Sequence, residues 1–425
     1  MRSREYPLCG QRVVRTRLPN GLAVLILPKP GFHKKFAGLA VSCGGTDMRF
    51  CLQGEKFAVP AGMAHFLEHM LFEMPEGSAL EHLAAGGARV NAFTSPFETM
   101  YHITCAEGFY EALQSLLRFV MTPHFTPENL ERERKVILQE IAMGRDDPMK
   151  AVHYGLLKNL FPHHPIHIPM VGTEESVGEI TAEHLEIYRR AFYRMRNMVL
   201  CVVGDVEPEL VVKAAQEALP DTGDEIPAAE NAAADPYVPQ EPRSLLEMEV
   251  SQPVFRLGAR IRPGDGEDVL HQELTAKLAL SVLLGSSSSL YADAYEQGLI
   301  DSRFSWSVSC RGGIPYWTAG GKSRSPASYC AKLGQAAEDM AAWGVDEALL
   351  QRQKRSLYGS LLRQTDDPER LCREMCSGFF REIDPLEAFT LLQEIGSDEI
   401  QKWIGENAQA SRLAISVVNN SRESR

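Results

Sequence analysis

Apolar and polar positions along the first half of the chain alternate between the period of a strand and the period of a helix. Leu22-Ala23-Val24-Leu25-Ile26-Leu27, entered through the hairpin-type turn Leu18-Pro19-Asn20-Gly21, predicts a strand, and Phe36 to Cys43 predicts a second. A helix begins near Pro60-Ala61-Gly62, and a short one runs from Ser78 to Ala85 before the glycine break at Gly86-Gly87. A strand pair spans Arg89 to Thr104, followed by a helix from about Glu107 to Met121. Thr126-Pro127-Glu128 opens another helix, with Thr126 as N-cap and Pro127 at the first helical position, running to about Arg145. Asn197 to Val203 predicts a strand that ends in Gly204-Asp205.

Between about Leu219 and Arg243 the pattern stops, and Pro, Asp, Glu and Ala take over, which marks a linker. The second half then repeats the rhythm of the first. Strand patterning covers Leu246 to Arg262, a helix Val269 to Leu284, and strands Arg303 to Cys310 and Ile314 to Gly320. Long helices follow at Pro326 to Trp343 and Asp346 to Gln364, and a closing strand, Arg412 to Val418, resembles Asn197 to Val203. The expectation is an α+β chain made of a duplicated unit of about 200 residues. Its domains are expected at 1–222 and 244–425, joined by 223–243.

Length and composition narrow the class. At 425 residues the chain exceeds one ordinary core, and 44% hydrophobic with 24% charged residues is that of a soluble globular protein. No apolar run is long enough to predict a membrane span, and the first residues carry no hydrophobic signal core, so export is not expected. Nine cysteines without a Cys-x-x-Cys pair fit a reducing cytoplasm. Cys372 and Cys376, four apart on a predicted helix, read as packing rather than metal binding. A net charge of −12 argues against a phosphate backbone as partner and is compatible with neutral or cationic peptides.

The candidate chemistry lies in Ala64-His65-Phe66-Leu67-Glu68-His69-Met70. Residues four apart share a helix face, so His65 and His69 can aim two imidazole nitrogens at one ion, with Glu68 beside them to take a proton from water. Composition alone would produce roughly 0.04 such matches in a chain of this length. The second half carries no copy of it. Catalytic zinc usually holds three protein ligands. Glu133 and Glu140, seven apart on one predicted helix, put two carboxylates on one face, one able to ligate and the other to hold a histidine or water.

His65-x-x-Glu68-His69 followed about 70 residues later by Glu133-x6-Glu140 resembles the pitrilysin/insulinase family of zinc metallopeptidases. The resemblance implies a fold of two homologous domains of mixed sheet packed with helices, like the mitochondrial processing peptidase. It implies zinc held by His65, His69 and Glu140, with Glu68 and the supporting Glu133 as catalytic residues. It also implies that Asn91, Ala92 and Phe93, within Asn91-Ala92-Phe93-Thr94, form an edge strand that pairs with a peptide backbone. The activity implied is zinc-dependent endopeptidase cleavage of oligopeptides, the alternative being a non-catalytic scaffold or peptide-binding subunit.

Leu18 to Leu22, Ala64 to Phe72, Asn91 to Ser95, Gly172-Thr173 and Gly298-Leu299-Ile300-Asp301 with Arg303-Phe304-Ser305 are similar to a bacterial YmfH-like subgroup. That subgroup is associated with modification of elongation factor P by 5-aminopentanol. Many family members carry, in the second half, an Arg and a Tyr seven apart that contact the scissile carbonyl. Anchored on Gly298-Leu299, those slots hold Ala294 and Asp301, and Tyr291, Tyr295 and Arg303 do not restore the spacing. The expected partner is therefore a zinc-less YmfF-like paralogue supplying the pair across a closed chamber in a heterodimer.

Other motifs read as structure. His163, His164 and His167, flanked by prolines, predict a rigid loop. Gly285-Ser286-Ser287-Ser288-Ser289 lacks a phosphate-loop ending, and Gly320-Gly321-Lys322-Ser323 lacks its upstream glycine. Cys105 has no histidine at a readable spacing.

Overall fold

The structure, a computed structural model, describes residues 1–75, 77–220, 227–229, 235–262 and 268–420, so two parts of the expected linker, 223–226 and 230–234, lie outside the described residues. Two compact units are present. The first comprises Met1–Ala142, Ile168–Asn231 and Leu362–Leu386, and the second Met143–His167, Ala232–Leu361 and Glu387–Arg425.

The first unit is built on a seven-stranded sheet. Its strands are Arg2–Tyr6 (β1), Gln11–Arg17 (β2), Ala23–Pro28 (β3), Lys35–Val41 (β4), Arg89–Thr94 (β5), Thr99–Cys105 (β6) and Met198–Gly204 (β7). They lie in the spatial order β1-β2-β3-β7-β4-β6-β5, with β3 and β7 parallel and the other pairs antiparallel. The central strands are apolar without interruption because both faces are covered. One face, with Val24, Ile26, Ala37, Leu39, Val41, Tyr101, Ile103, Leu200 and Val202, packs into the main core together with helices Met63–Leu71 (α1) and Phe109–Met121 (α2). The opposite face is covered by Pro368–Phe380, a helix from late in the chain.

The second unit repeats five of these strands. Arg243–Met248 (β8), Val254–Arg260 (β9), Ser305–Ser309 (β10), Tyr316–Lys322 (β11) and Ala414–Asn420 (β12) lie in the order β8-β12-β9-β11-β10, with β8 and β12 parallel. This is the order and sense of β3-β7-β4-β6-β5, so the duplication is one of topology as well as of sequence pattern. β1 and β2 have no counterpart among the described residues, and the apolar pattern did not predict them.

Each sheet is covered on one face by a helix drawn from the other half of the chain. Pro148–Leu160 packs on β8, β9 and β12, whereas Pro368–Phe380 packs on β4 and β7. The compact units therefore do not coincide with the halves 1–222 and 244–425 read along the chain. Both helices start with the same device. Asp147 Oδ1 accepts from Met149 N–H at 2.8 Å and Lys150 N–H at 3.3 Å; Asp367 Oδ1 accepts from Glu369 N–H at 3.1 Å and Arg370 N–H at 3.2 Å. A proline at the first helical position follows each. Asp367→Ala is expected to cost about 1 kcal/mol of stability, seen as a lower denaturation midpoint of the first unit. An unchanged midpoint would mean that packing alone sets the start of this helix.

Candidate active site

The motif helix α1 begins at a close backbone crossing. Gly62, its N-cap, has φ 88°, and a Cβ there would sit 2.7 Å from the Val171 carbonyl oxygen. Gly172, with φ 82°, makes the reciprocal approach to Ala61, and Ser176 Oγ donates to the Ala61 carbonyl at 2.9 Å. These contacts hold the start of α1 against the Val171–Thr173 turn. Eight of its nine residues are buried, so His65 (9% exposed) and Glu68 (8% exposed) are core positions rather than surface polar residues.

A second long helix, Pro127–Arg145 (α3), supplies the carboxylates. Thr126 caps it, its Oγ1 accepting from Asn129 N–H at 3.2 Å. Arg134 fixes it in place by donating to the carbonyls of Val177 and Ile180, while its guanidinium lies 5.8 Å from the centre of the Phe66 ring on α1. The docking sets Glu140 opposite both imidazoles. His65 Nε2 is 3.6 Å from Glu140 Oε2, and His69 Nε2 is 3.8 Å from Glu140 Oε1. One donor atom from each of His65, His69 and Glu140 lies within 4.8 Å of the others.

Two further carboxylates complete the cluster. Glu133 Oε2 is 3.3 Å from His69 Nδ1, the ring nitrogen that faces away from Glu140. Glu68 Oε2 accepts from Thr94 Oγ1 at 2.5 Å. Burial drives the His65 pKa down to about 3, helped by the neighbouring His69, so this imidazole is neutral and its lone pair is available. Burial also pulls His69 downward, but the bond to Glu133 and the charges of Glu140 and Glu68 outweigh it and hold His69 above its ordinary value. Glu68 is raised, chiefly by burial and further by Glu140, against the opposing pull of Thr94 and His69.

This arrangement fits a divalent metal. Two imidazoles and one carboxylate are a donor set of catalytic zinc. Three carboxylates gathered around two imidazoles leave the cluster short of positive charge, which the raised His69 registers. His69 is oriented through its second nitrogen by a carboxylate, the usual support of a metal-bound histidine. His65 Nδ1 is buried with no hydrogen-bond partner among the described residues.

The edge strand is also in place. β5 closes one side of the seven-stranded sheet, so its outer backbone groups face away from the ladder. Thr94 and, by strand alternation, Ala92 face α1, whereas Asn91 and Phe93 face the other side, where Arg373 stacks 4.3 Å above the Phe93 ring. Thr94 was not among the expected site residues. Its signal was available in the alternation, which puts it on the same face as Ala92.

The remaining motifs hold no comparable geometry. His164 Nδ1 accepts from Ile166 N–H, and His167 Nδ1 lies 2.9 Å from the Phe161 carbonyl, so both rings tie down the proline-flanked loop. Ala294 is fully buried in a helix, and Asp301 pairs with Arg303 at 2.8 Å. Among the described residues one other metal-type cluster exists: Cys201, Cys372 and Cys376. No helix among these residues is long and apolar enough to cross a membrane.

Comparison with known proteins bears on the family and the fold. Residues 58–174 match the family described as Insulinase (Peptidase family M16), and residues 179–357 match that described as Peptidase M16 inactive domain. The chain is 30% identical over 438 residues to the uncharacterised zinc protease YmfH of Bacillus subtilis, covering 97% of each chain. It is 33% identical over 210 residues to an uncharacterised zinc protease of Mycobacterium leprae, covering 48% of this chain and 45% of that one. The crystal structure of an M16-like peptidase from Alicyclobacillus acidocaldarius superposes with a TM-score of 0.91 at 28% identity, over 97% of this chain and 99% of that chain. A protease from Helicobacter pylori superposes with a TM-score of 0.84 at 15% identity, over 96% and 99% of the two chains, and shows the shared fold alone. The expected α+β class and two-domain architecture are those of these relatives.

Proposed function

The chain belongs to peptidase family M16, the insulinase family, and from that premise we propose that it is a zinc-dependent endopeptidase acting on extended oligopeptides. The observation that carries the reading is the convergence of His65 Nε2 and His69 Nε2 on the Glu140 carboxylate, with the buried Glu68 one residue from His69. His65, His69 and Glu140 would hold zinc, which when bound would supply Lewis acidity toward a carbonyl and acidify water near neutral pH.

The chain's own groups do the rest. Glu68 takes the proton from the attacking water and hands it to the departing amine, and its raised pKa suits it to both directions of transfer. Thr94 holds the Glu68 carboxylate in place, and Glu133 holds the His69 ring. Glu133 is thus a positioning residue in this reading. The outer edge of β5 at Asn91, Ala92 and Phe93 aligns the peptide through main-chain hydrogen bonds, the Ala92 N–H exchanging its bond to Asn91 Oδ1 (2.9 Å) for one to the peptide, which suits a broad range of sequences.

Neither Ala294 nor Asp301 offers a free donor to a carbonyl oxygen. We infer that a second chain, a zinc-less YmfF-like paralogue, supplies the Arg and Tyr that complete the site. The test is hydrolysis of a mixed oligopeptide pool by the zinc-loaded chain, alone and with that paralogue. Losing a donor to the developing oxyanion costs about 100–1000-fold, so the pair is expected to exceed the single chain by that order. Equal rates would discard the partner. No hydrolysis by either, with zinc bound, would discard the peptidase.

Thr94→Val removes the hydroxyl donor from Glu68. A hydrogen bond to a carboxylate favours its ionised form, so losing it raises the Glu68 pKa further. The base must be ionised to act, so the acid limb of the kcat/KM profile is expected to move to higher pH. A limb that stays in place would separate Thr94 from the base.

A further inference from the structure

On the face of the first sheet opposite the main core, three cysteines far apart in sequence meet. Cys201 lies on β7, while Cys372 and Cys376 lie one turn apart on Pro368–Phe380, the helix that covers this face. One sulfur from each lies within 4.8 Å of the others, and all three residues are fully buried. The fold makes room for them at Gly38 of β4, the strand beside β7. A Cβ on Gly38 would lie 3.0 Å from Cys372 Sγ and 3.1 Å from Met100 Sδ, so these two sulfurs are no more than about 6 Å apart. Alternation along β6 turns Met100 to the same face as the three thiols. The cluster is therefore three fully buried thiols with a thioether beside them.

We propose that Cys201, Cys372 and Cys376 form a second metal site, separate from His65, His69 and Glu140, that takes a soft monovalent d10 cation of the copper(I) class, with Met100 as a supporting thioether.

Ligand type argues for this ion. Thiolate and thioether sulfur select soft cations, and a low coordination number without water suits copper(I) better than zinc, which closes a tetrahedron with a fourth thiolate, imidazole or carboxylate. No such fourth group belongs to the cluster among the described residues. The Cys372 thiol also donates to the Cys201 carbonyl at 3.4 Å, which holds the covering helix against β7 at the cluster itself. The ion keeps its oxidation state throughout, and any proton it displaces leaves to solvent. Bound there, it would staple the covering helix to the centre of a sheet 171 residues away along the chain.

The test uses the full chain with its histidine site first loaded with zinc, so that imidazole nitrogens are occupied. Copper(I) is then titrated without oxygen against a chromophoric copper(I) chelator. It is supplied both by direct addition and by refolding in its presence, because the cluster is buried. One equivalent held by sulfur ligands alone, read by X-ray absorption at the copper edge, is expected. Cys372→Ser and Cys376→Ser are each expected to weaken binding by more than about 100-fold, since even supporting residues around a metal cost 10–100-fold when removed. Wild-type chain that takes up no copper(I) by either route, or binds it through nitrogen, overturns the proposal whatever the variants do. Undiminished affinity in both variants also overturns it. Zinc displacing copper from the sulfurs would overturn the monovalent assignment.

Discussion

Glu68→Gln is expected to leave the zinc content of the chain unchanged and to lower kcat for peptide hydrolysis by about 10²–10⁴-fold, the range that a positioned general base contributes. The two halves of this expectation come from different parts of the site. In the proposed site metal content depends on His65, His69 and Glu140, none of which Glu68 bonds. The glutamine is nearly the size of the glutamate, and its amide oxygen can still accept from Thr94 Oγ1, so the buried helix keeps its packing. What disappears is the ability to accept a proton and return it. Zinc by elemental analysis and kcat on one defined peptide settle the matter together. Turnover within tenfold of the parent would exclude Glu68 as the base. Loss of zinc would show instead that Glu68 belongs to the ligand field.

Much of this site was legible along the chain because its residues act at helical spacings. His65 and His69 four apart, and Glu133 and Glu140 seven apart, each occupy one face of one helix, and periodicity exposes such pairs directly. Docking the two helices adds only one unknown, and Arg134 resolves it by tying α3 to the 177–180 turn. The strands at the centre of both sheets were legible for the same reason: continuous apolar runs bounded by turns.

Features resting on long-range contact were not readable in this way. Thr94 meets Glu68 only because β5 lies at the sheet edge next to α1. Cys372 and Cys376 looked like packing because their partner, Cys201, is 171 residues away, and only the register of the covering helix on β7 joins them. The exchange of covering helices was hidden too, although its signal was present. Asp146-Asp147-Pro148 and Asp366-Asp367-Pro368 are the same helix start written twice, once in each half. Local pattern identifies such a helix but does not say which sheet it will cover.

The two carboxylates of α3 can be told apart by what their loss does to the metal. Glu140→Gln removes the charge of a carboxylate whose Oε2 faces His65 Nε2 and whose Oε1 faces His69 Nε2, so zinc affinity is expected to fall by more than about 100-fold and activity to vanish with it. Glu133→Gln leaves all three donors in place and loses the charged partner of His69 Nδ1, along with an ion pair to the half-exposed Arg132. Its expected cost is the 10–100-fold in affinity typical of a group that orients a ligand, and excess zinc should restore much of the activity. Competition against a zinc chelator, run on both variants at one pH, reads the two affinities on a common scale. The order matters more than either value. Of the two histidines Glu133 meets one, at its outward nitrogen, whereas Glu140 faces the inward nitrogens of both. If Glu133→Gln proved the more damaging, the metal would have to sit on the outward side of His69, and the site built on Glu140 would be wrong.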